Sequence, residues 1–338
     1  ELKAAVKRHR AISGSLVLLD TRSGEILAMV NQPSFNPNAD RSNRGGKLRN
    51  RAVTDVFEPG STMKPFTVAA ALDRGTIRAD SKIDTSPGYF RVGAAQVRDS
   101  KNLGVIDVST ILSKSSNVGA GKIALGLEKH DLWQAMDALG FGSPAQTGFP
   151  GEADGQLSDY RHWARIDQAT LSFGYGISVT TLQLAQAYGA LANDGVLLPA
   201  TLIKRDAAPA GRRVFSAATA AAVRGMLEAV ASEDGTAPQA AVQGYRVAGK
   251  TGTVKKFGPQ GYSDDRYLSL FAGMAPARQP RVAMVVMLNE PRAGKFYGGQ
   301  VAGPVFSAVM AETLRLMNVA PDVVVDPKLR VAHAGEAR

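Results

Sequence analysis

The sequence predicts an α/β (α+β) fold in which a five-stranded antiparallel sheet is flanked by helices and joined to an all-helical lobe. Two strand-like apolar runs lie at the start of the 338-residue chain, and three more lie in its last third. The stretch between them has mostly helical periodicity. Strands so far apart in sequence can share one core by pairing in a single sheet with helices on its faces.

The first two strands form a predicted hairpin. The runs 15–20 and 25–31 are apolar and contain β-branched residues, and the turn-forming segment Thr21-Arg22-Ser23-Gly24 joins them. The following residues, 33–51, are rich in Asn, Pro, Gly and Arg, so they predict a loop.

The later elements follow from caps, breaks and periodicity. Thr180 and Gln183 form a predicted capping box, and Ser216 is a predicted N-cap. Helices are predicted at 61–74, 108–114, 118–127, 131–139, 180–193, 216–231 and 302–317. Late strands are predicted at 245–254, 267–275 and 281–290.

Composition excludes several functions. The chain has no cysteine, so disulfides and thiolate metal sites are excluded. His9, His130, His162 and His333 are scattered, so no metal site, cofactor or histidine-based triad is predicted. The formal charge is +10, with basic residues concentrated partly at 3–10 and 41–51. No aromatic-plus-basic module accompanies them, so nucleic-acid binding is not predicted.

The segment Ser61-Thr62-Met63-Lys64 places a hydroxyl and an amine three residues apart at the start of a predicted helix. Residues at this spacing share a helix face, and the helix N-terminus disfavours a protonated lysine. The pair can therefore supply a serine nucleophile with its own amine base, without histidine. Taken alone, a short string of this kind is explained equally well by a solvated helix lysine.

A second motif, Lys250-Thr251-Gly252-Thr253, lies in the first of the late strands and is the only Lys-Ser/Thr-Gly string in the chain. An ammonium, hydroxyls and a glycine that admits close backbone approach suit an edge strand that pairs with an extended substrate and binds its carboxylate. Taken alone, the motif is explained more simply by a strand end with a surface lysine.

A third motif, Ser-x-Asn, matches the chain at Ser34/Asn36, Ser100/Asn102 and Ser115/Asn117. The first two matches lie in a proline-rich loop and a polar loop. The third lies in a tight connection between two predicted helices, which is a rigid place from which to orient side chains. We therefore assign the motif to Ser115 and Asn117.

The three motifs in this order resemble the signatures of the serine acyltransferase family of penicillin-binding proteins and serine β-lactamases. The resemblance implies the penicillin-binding protein/β-lactamase-like fold. It extends over about residues 13–317, and it is similar to the transpeptidase domain of class B penicillin-binding proteins of the cell-division FtsI type. The segments that carry this closer resemblance are 24–29, 56–65, 114–119, 173–176 and 297–299.

The resemblance implies a peptidoglycan D,D-transpeptidase active in septal cell-wall synthesis. Ser61 would attack the carbonyl between the two terminal D-alanines of a stem peptide and form an acyl-enzyme. Lys64 would accept the Ser61 proton, and Ser115 would relay a proton to the leaving amine. Asn117 would bind the substrate amide and hold Lys64 in place.

The same resemblance assigns the other motif to substrate binding. Lys250, Thr251 and Thr253, with Gly252 between them, would hold the terminal carboxylate of the peptide. The backbone amides of Ser61 and Thr253 would form the oxyanion hole. β-Lactam antibiotics mimic the D-Ala-D-Ala end and would be trapped on Ser61.

Four further residues are weaker candidates for substrate binding. Tyr267, Phe296 and Tyr297 are similar in position to residues that line the acyl-side wall of such sites, and packing at the sheet edge explains them nearly as well. Glu58 precedes the nucleophile segment, where an acidic residue is commonly solvent-facing.

The resemblance also implies boundaries, partners and location. It divides the chain into a remnant of a preceding segment at 1–12, a transpeptidase domain at 13–320 and a flexible C-terminal tail at 321–338. Stem peptides and β-lactams are the implied ligands, and divisome membrane proteins including a glycosyltransferase are the implied partners. The implied location is the periplasmic face of the bacterial inner membrane, with an N-terminal anchor that this chain lacks.

Three alternatives stay open. A D,D-carboxypeptidase differs only in that water takes the acyl group. A serine β-lactamase of the best-known class carries a glutamate on a loop between the second and third motifs; the segment 148–159 offers Glu152, Asp154 and Asp159, without the Leu-Asn context of that loop. A non-catalytic β-lactam sensor or scaffold would keep the pocket, although sensors resemble a smaller domain.

Overall fold

The computed structural model describes residues 1–36, 38, 48–207, 209–258 and 261–323. The predicted loop at 33–51 and the predicted tail at 321–338 therefore lie largely outside the described residues.

The strands are β1 Ser13–Asp20, β2 Ile26–Gln32, β3 Lys82–Asp84, β4 Tyr89–Val92, β5 Ala95–Arg98, β6 Val105–Asp107, β7 Gln156–Leu157, β8 Ile177–Ser178, β9 Val196–Leu197, β10 Arg212–Arg213, β11 Ala248–Gly258, β12 Gly261–Ala275 and β13 Val282–Asn289. The α-helices are α1 Leu2–Arg8, α2 Arg51–Thr54, α3 Lys64–Asp73, α4 Val108–Ser113, α5 Asn117–Leu125, α6 Lys129–Ala138, α7 Arg165–Leu171, α8 Thr181–Ala192, α9 Ala217–Glu228, α10 Gly298–Val301 and α11 Gly303–Leu316.

The first two strands and the last three form one antiparallel sheet in the order β11-β12-β13-β1-β2. Strand β1 lies between β13 and β2, with Leu16 opposite both Val286 and Val30. The predicted five-stranded sheet is therefore confirmed. Strand β11, which carries the Lys-Thr-Gly motif, is an edge strand, so one side of it faces away from the sheet.

Helices cover both faces of this sheet. Helix α8 packs against β1 and β13 on one face, where Leu19 reaches Gly189. Helices α1 and α11 cover the other face, where Phe306 of α11 contacts Phe271 of β12 in an edge-to-face arrangement with centroids 4.6 Å apart. Both phenylalanines are fully buried. Burial of each contributes roughly 1.5–3 kcal/mol to the free energy of unfolding.

Helices α3 to α7 form a lobe beside the sheet, and an aromatic cluster joins it to α8. Phe66 of α3 lies 5.3 Å from Tyr188 and 5.9 Å from Phe141, measured between ring centroids. The lobe also contains the two-stranded sheets β3-β6 and β4-β5. The prediction of an all-helical lobe is therefore wrong. Strands of three or four residues are too short to show a clear period in the sequence.

Predicted boundaries differ from the structure at two places near the motifs. The helix predicted to begin at Ser61 begins at Lys64, after a 3-10 turn over Gly60–Met63. Strands β11 and β12 pair as far as Gly258 and Gly261, well beyond the predicted strands. Residues 263–266 are polar and show no apolar period, and the register with β11 shifts across them, from Tyr267 opposite Lys255 to Tyr262 opposite Phe257.

The ends of the described chain pack onto the domain. Leu2 and Ala5 of α1 are buried against the sheet. Near the other end, the Asp322 carboxylate accepts a hydrogen bond from the Arg246 backbone amide at 2.8 Å. Within the described ranges, no helix combines the length and apolar composition that crossing a membrane requires.

Candidate active site

The Ser61 turn is fixed by its contacts with β11 and α8. Gly60 has a φ of +57°, and a Cβ there would lie 2.3 Å from Val254 Cγ2, so only glycine fits. On the other side, the buried Tyr188 hydroxyl donates a hydrogen bond to the Thr62 carbonyl at 2.9 Å. These contacts hold Ser61 between the edge strand and the helical lobe.

The 3-10 turn places Ser61 directly above Lys64, since this helix has three residues per turn. Lys64 Nζ lies 2.9 Å from Ser61 Oγ. It also lies 2.6 Å from the Ser115 carbonyl, 3.1 Å from Ser115 Oγ and 2.8 Å from Asn117 Oδ1. The expected contact of Lys64 with both Ser61 and Asn117 is therefore present, and the Lys64 side chain is completely buried.

The surroundings of Lys64 favour its neutral form. Burial lowers the pKa of the Lys64 ammonium well below its usual value, and the positive charge of Lys250 lowers it further, whereas Asp99 opposes both effects. A neutral amine has two hydrogens and one lone pair. Because the Ser115 carbonyl and Asn117 Oδ1 can only accept, they take the two hydrogens. The lone pair is then left to a hydroxyl, and Ser61 is positioned to donate to it.

Ser115 connects the two lysines and has a strained backbone. Its φ is +62°, in the left-handed region that costs a non-glycine residue roughly 1–2 kcal/mol. Its Oγ lies 3.1 Å from Lys64 Nζ and 3.0 Å from Lys250 Nζ. The strained conformation thus places one hydroxyl between two buried amines, and strain of this kind concentrates at functional sites.

Lys250 is fully buried and contacts neutral oxygens: Ser115 Oγ, and the carbonyl and Oγ1 of Thr251 at 3.3 and 3.4 Å. Burial lowers its pKa to about 7. Among the residues that the structure describes, no carboxylate forms an ion pair with Lys250. A buried amine without a paired carboxylate is suited to receive the carboxylate of a ligand, which would favour its charged form.

A cavity of about 520 Å³ opens beside these groups. Ser61, Ser115, Asn117, Thr251 and Thr253 line it. Lys250 lies behind Thr251 rather than in the lining, and Gly252 faces the nucleophile turn, where a Cβ would lie 3.1 Å from the Pro59 carbonyl. The three motifs therefore converge on one side of one cavity.

The weaker candidates lie at the rim or outside the lining. Tyr297 lines the cavity and is 58% exposed. Phe296 lies beside it with ring centroids 4.5 Å apart and stacks on Tyr267 at 4.4 Å, so the three rings form one aromatic cluster. Glu58 is not among the lining residues; its Oε1 accepts hydrogen bonds from the Gly176 amide at 2.9 Å and the Tyr262 hydroxyl at 3.0 Å.

Two lining residues, Asp99 and Thr236, are not among the predicted site residues. Thr236 accepts a hydrogen bond from Thr251 Oγ1 at 3.1 Å, and Asp99 contacts the segment that follows Ser115. Ser100 also lines the cavity, yet Ser115 rather than Ser100 contacts Lys64. The one available signal was position: Asp99 directly precedes the rejected Ser100/Asn102 match.

Comparison with known proteins agrees with this geometry. Residues 14–311 match the family described as the penicillin binding protein transpeptidase domain. The chain therefore belongs to the penicillin-binding protein transpeptidase family, as the motifs predicted. The transpeptidase domain of Burkholderia pseudomallei penicillin-binding protein 3 has a similar structure, with a TM-score of 0.88 and 45% identity, covering 96% of this chain and 94% of that one.

Curated relatives bear names from the same family. The chain is 44% identical over 324 residues to the Escherichia coli K12 peptidoglycan D,D-transpeptidase FtsI, covering 96% of this chain and 55% of that protein. It is 44% identical over 321 residues to the probable peptidoglycan D,D-transpeptidase PenA of Neisseria flavescens, covering 95% and 80%. A meningococcal PenA is 43% identical, covering 95% and 55%. The chain thus spans about half the length of most of these relatives.

Proposed function

We propose that this domain is a peptidoglycan D,D-transpeptidase that crosslinks stem peptides during septal cell-wall synthesis through an acyl-enzyme on Ser61. The observation that carries the proposal is the buried Lys64 amine, 2.9 Å from Ser61 Oγ, with its hydrogens directed to two carbonyl oxygens. The relatives named FtsI and PenA support the reaction class.

Acylation uses the Lys64 amine and the hydroxyls of Ser61 and Ser115 in sequence. Ser61 Oγ bonds to the carbonyl carbon of the penultimate D-alanine while its proton passes to the Lys64 lone pair. The bond from that carbon to the terminal D-alanine nitrogen then breaks. Lys64 returns the proton to the leaving nitrogen through Ser115 Oγ, which lies 3.1 Å from Nζ. Free D-alanine leaves, and Lys64 is neutral again.

Deacylation repeats the same proton path in reverse order. A neutral amine of a second stem peptide attacks the Ser61 ester, and its proton passes to Lys64. The ester bond breaks as Ser61 Oγ takes that proton, so an amide crosslink forms and the hydroxyl is regenerated. General acid–base transfer of this kind contributes roughly 10²–10⁴-fold to a rate.

The edge strand binds the substrate. Strand β11 has an open side on which an extended peptide can add as a further strand. Thr251 and Thr253 then meet the terminal carboxylate, with the buried Lys250 amine behind them to attract it, and the amides of Ser61 and Thr253 receive the developing oxyanion. The aromatic cluster of Tyr267, Phe296 and Tyr297 bounds the acyl side. β-Lactams present the same carboxylate and carbonyl, so they acylate Ser61.

The carboxylates near the cavity argue against rapid hydrolysis of the acyl-enzyme. Asp99 lines the cavity, and its two oxygens accept hydrogen bonds from Ser116, Asn117 and Val118. Glu152, the glutamate of the 148–159 segment, accepts hydrogen bonds from the amide and hydroxyl of Thr147 and is absent from the lining. Neither is placed to activate water, which favours a transpeptidase over a β-lactamase.

The proposal extends to location and partners. The relatives named FtsI support a cell-envelope protein. We place the domain at the periplasmic face of the inner membrane, tethered by an N-terminal segment, with divisome membrane proteins including a glycosyltransferase as partners. Binding of the intact protein to such partners in a bacterial two-hybrid assay tests this part, and no interaction would contradict it.

Incubation with a donor stem peptide and an amine acceptor tests the reaction. We expect Ser61-dependent crosslinked product, with Ser61→Ala as the inactive control. Hydrolysed donor without crosslink would indicate a D,D-carboxypeptidase, and no Ser61-dependent product would favour a binding module. A chromogenic cephalosporin distinguishes the remaining alternative: we expect one slow acylation event per chain, whereas fast turnover would indicate a β-lactamase.

A further inference from the structure

The end of strand β5 and the residue after it contact the segment that follows Ser115. Asp99 follows this strand and faces the N-terminus of α5. Its Oδ1 accepts hydrogen bonds from the Asn117 amide at 2.5 Å and the Val118 amide at 3.0 Å. Its Oδ2 accepts one from the Ser116 hydroxyl at 2.5 Å. One carboxylate thus binds three consecutive residues directly after Ser115.

These bonds satisfy backbone amides at the start of helix α5 that have no hydrogen-bond partner within the helix. The first amides of a helix have no partner within the helix, and the helix dipole favours a negative charge at that end. Ser116 is the N-cap, since its Oγ accepts from the Gly119 amide at 2.8 Å while donating to Asp99. The Asp99 carboxylate therefore completes the cap of α5 with charge-assisted bonds.

The preceding residue fixes the orientation of the Asn117 amide. Asn117 Nδ2 donates to the Arg98 carbonyl at 3.1 Å. With the nitrogen held by that acceptor, Oδ1 points to Lys64 Nζ at 2.8 Å. Rotation of the amide by half a turn would place two donors against each other. Arg98 and Asp99 together thus set both the backbone and the side chain of Asn117.

The left-handed Ser115 is the residue that most needs such support. A non-glycine residue at φ +62° keeps this conformation only when its surroundings impose it. Asp99 binds the chain on the C-terminal side of Ser115. The Ser116 amide also donates to the carbonyl of Ile111, which precedes Ser115 in the chain, at 3.0 Å. Together these bonds hold the Ser115 hydroxyl between Lys64 and Lys250.

We propose that Asp99 is a positioning residue for the acyl transfer proposed above: it holds the Ser115–Asn117 segment in the strained geometry that places Ser115 Oγ and Asn117 Oδ1 on Lys64. The inference rests on the proposed function. Asp99 acts through Ser115, Asn117 and Lys64, and it takes no part in bond making.

The charge of Asp99 has a separate effect on Lys64. The charged groups that act on Lys64 are Lys250 from β11 and Asp99 from the end of β5. Asp99 raises the pKa of the Lys64 ammonium against the larger lowering by burial and the lowering by Lys250. Removing the negative charge therefore lowers that pKa further. Only neutral Lys64 accepts the Ser61 proton. The acid limb of the pH–rate profile, where the acylation rate falls as Lys64 becomes protonated, therefore moves to lower pH.

Asp99→Asn tests both effects, with Asp107→Asn as the matched control. Asp107 caps α4 through the Thr110 amide at 2.7 Å and does not line the cavity. We expect Asp99→Asn to slow acylation by a fluorescent penicillin by roughly 10–100-fold, the range for losing hydrogen bonds to a charged group. The pH at which its acylation rate falls on the acid side should move to lower pH. Asp107→Asn, which changes one cap bond away from the cavity, should acylate at the wild-type rate.

Asp99→Glu separates charge from geometry and carries the test if Asp99→Asn does not fold. It keeps the negative charge one methylene further out, so the acid limb should stay at the wild-type pH while the rate falls. Wild-type rate and pH profile in both folded variants would overturn the inference and leave the proposed function standing. A wild-type chain that no penicillin acylates would overturn both.

Discussion

Replacing Lys64 by alanine removes the amine that contacts Ser61 Oγ. The structure gives Lys64 Nζ four oxygen neighbours between 2.6 and 3.1 Å, and loss of a positioned general base lowers a rate roughly 10²–10⁴-fold. This corresponds to about 3–5 kcal/mol in the activation barrier. The Ser115 carbonyl and Asn117 Oδ1 also lose their donors. Since Ser115 and Asn117 line the cavity, water can replace the lost donor, and we expect the free energy of unfolding to fall by only about 1–3 kcal/mol.

The assay is the second-order rate constant for acylation by a fluorescent penicillin, with circular dichroism to confirm folding. Lys64→Arg is the informative second variant, since it keeps a positive charge but has no lone pair at neutral pH. We expect it to be as slow as Lys64→Ala. Lys122→Ala is the control, because Lys122 also donates to a backbone carbonyl, that of Asp84, but lies outside the cavity lining. A near-normal, Ser61-dependent rate in Lys64→Ala would show that another group activates the serine.

Two further predictions concern the edge strand and its neighbour. Because the folded-state pKa of Lys250 is about 7 and its unfolded value is near 10.4, wild type should gain free energy of unfolding relative to Lys250→Met as pH rises from 7 toward 10. Urea titrations at pH 7 and 9.5 measure this, and a pH-independent difference would contradict the burial argument. A Cβ on Gly298 would lie 2.2 Å from the Leu270 carbonyl, so Gly298→Ala should lower both the thermal midpoint and the acylation rate. Gly225→Ala, where a Cβ meets nothing within 4 Å in the middle of α9, should raise the midpoint slightly by improving helix propensity; equal effects of the two changes would refute the close-packing account.

The parts of the fold that the sequence predicts well are those with long, regular burial. Strand β13, with seven of its eight residues buried, and helix α8, with its Thr180–Gln183 capping box, show strong apolar patterns or cap signals. The strand pairs between 82 and 107 were not predicted. Their three- and four-residue strands alternate too briefly, and their polar turns look like a loop.

In the candidate site, the sequence likewise predicts contacts between near neighbours but not contacts between distant segments. Ser61 and Lys64 are three residues apart, so local spacing alone predicts their contact. Asp99 reaches the Ser116 hydroxyl across 17 positions of sequence, and Thr236 reaches Thr251 across 15. Single carboxyl and hydroxyl groups in polar segments have no distinguishing pattern. Their relation to the motifs appears only when tertiary structure brings the segments together.

Mass spectrometry of the intact chain after exposure to benzylpenicillin, followed by peptide mapping, tests the central claim most directly. We expect one stable penicilloyl adduct per chain, located on Ser61, absent from Ser61→Ala and strongly reduced in Lys64→Ala. An adduct on another residue, or one that forms at the normal rate without Ser61, would contradict the assignment of this cavity as the acyl-transfer site.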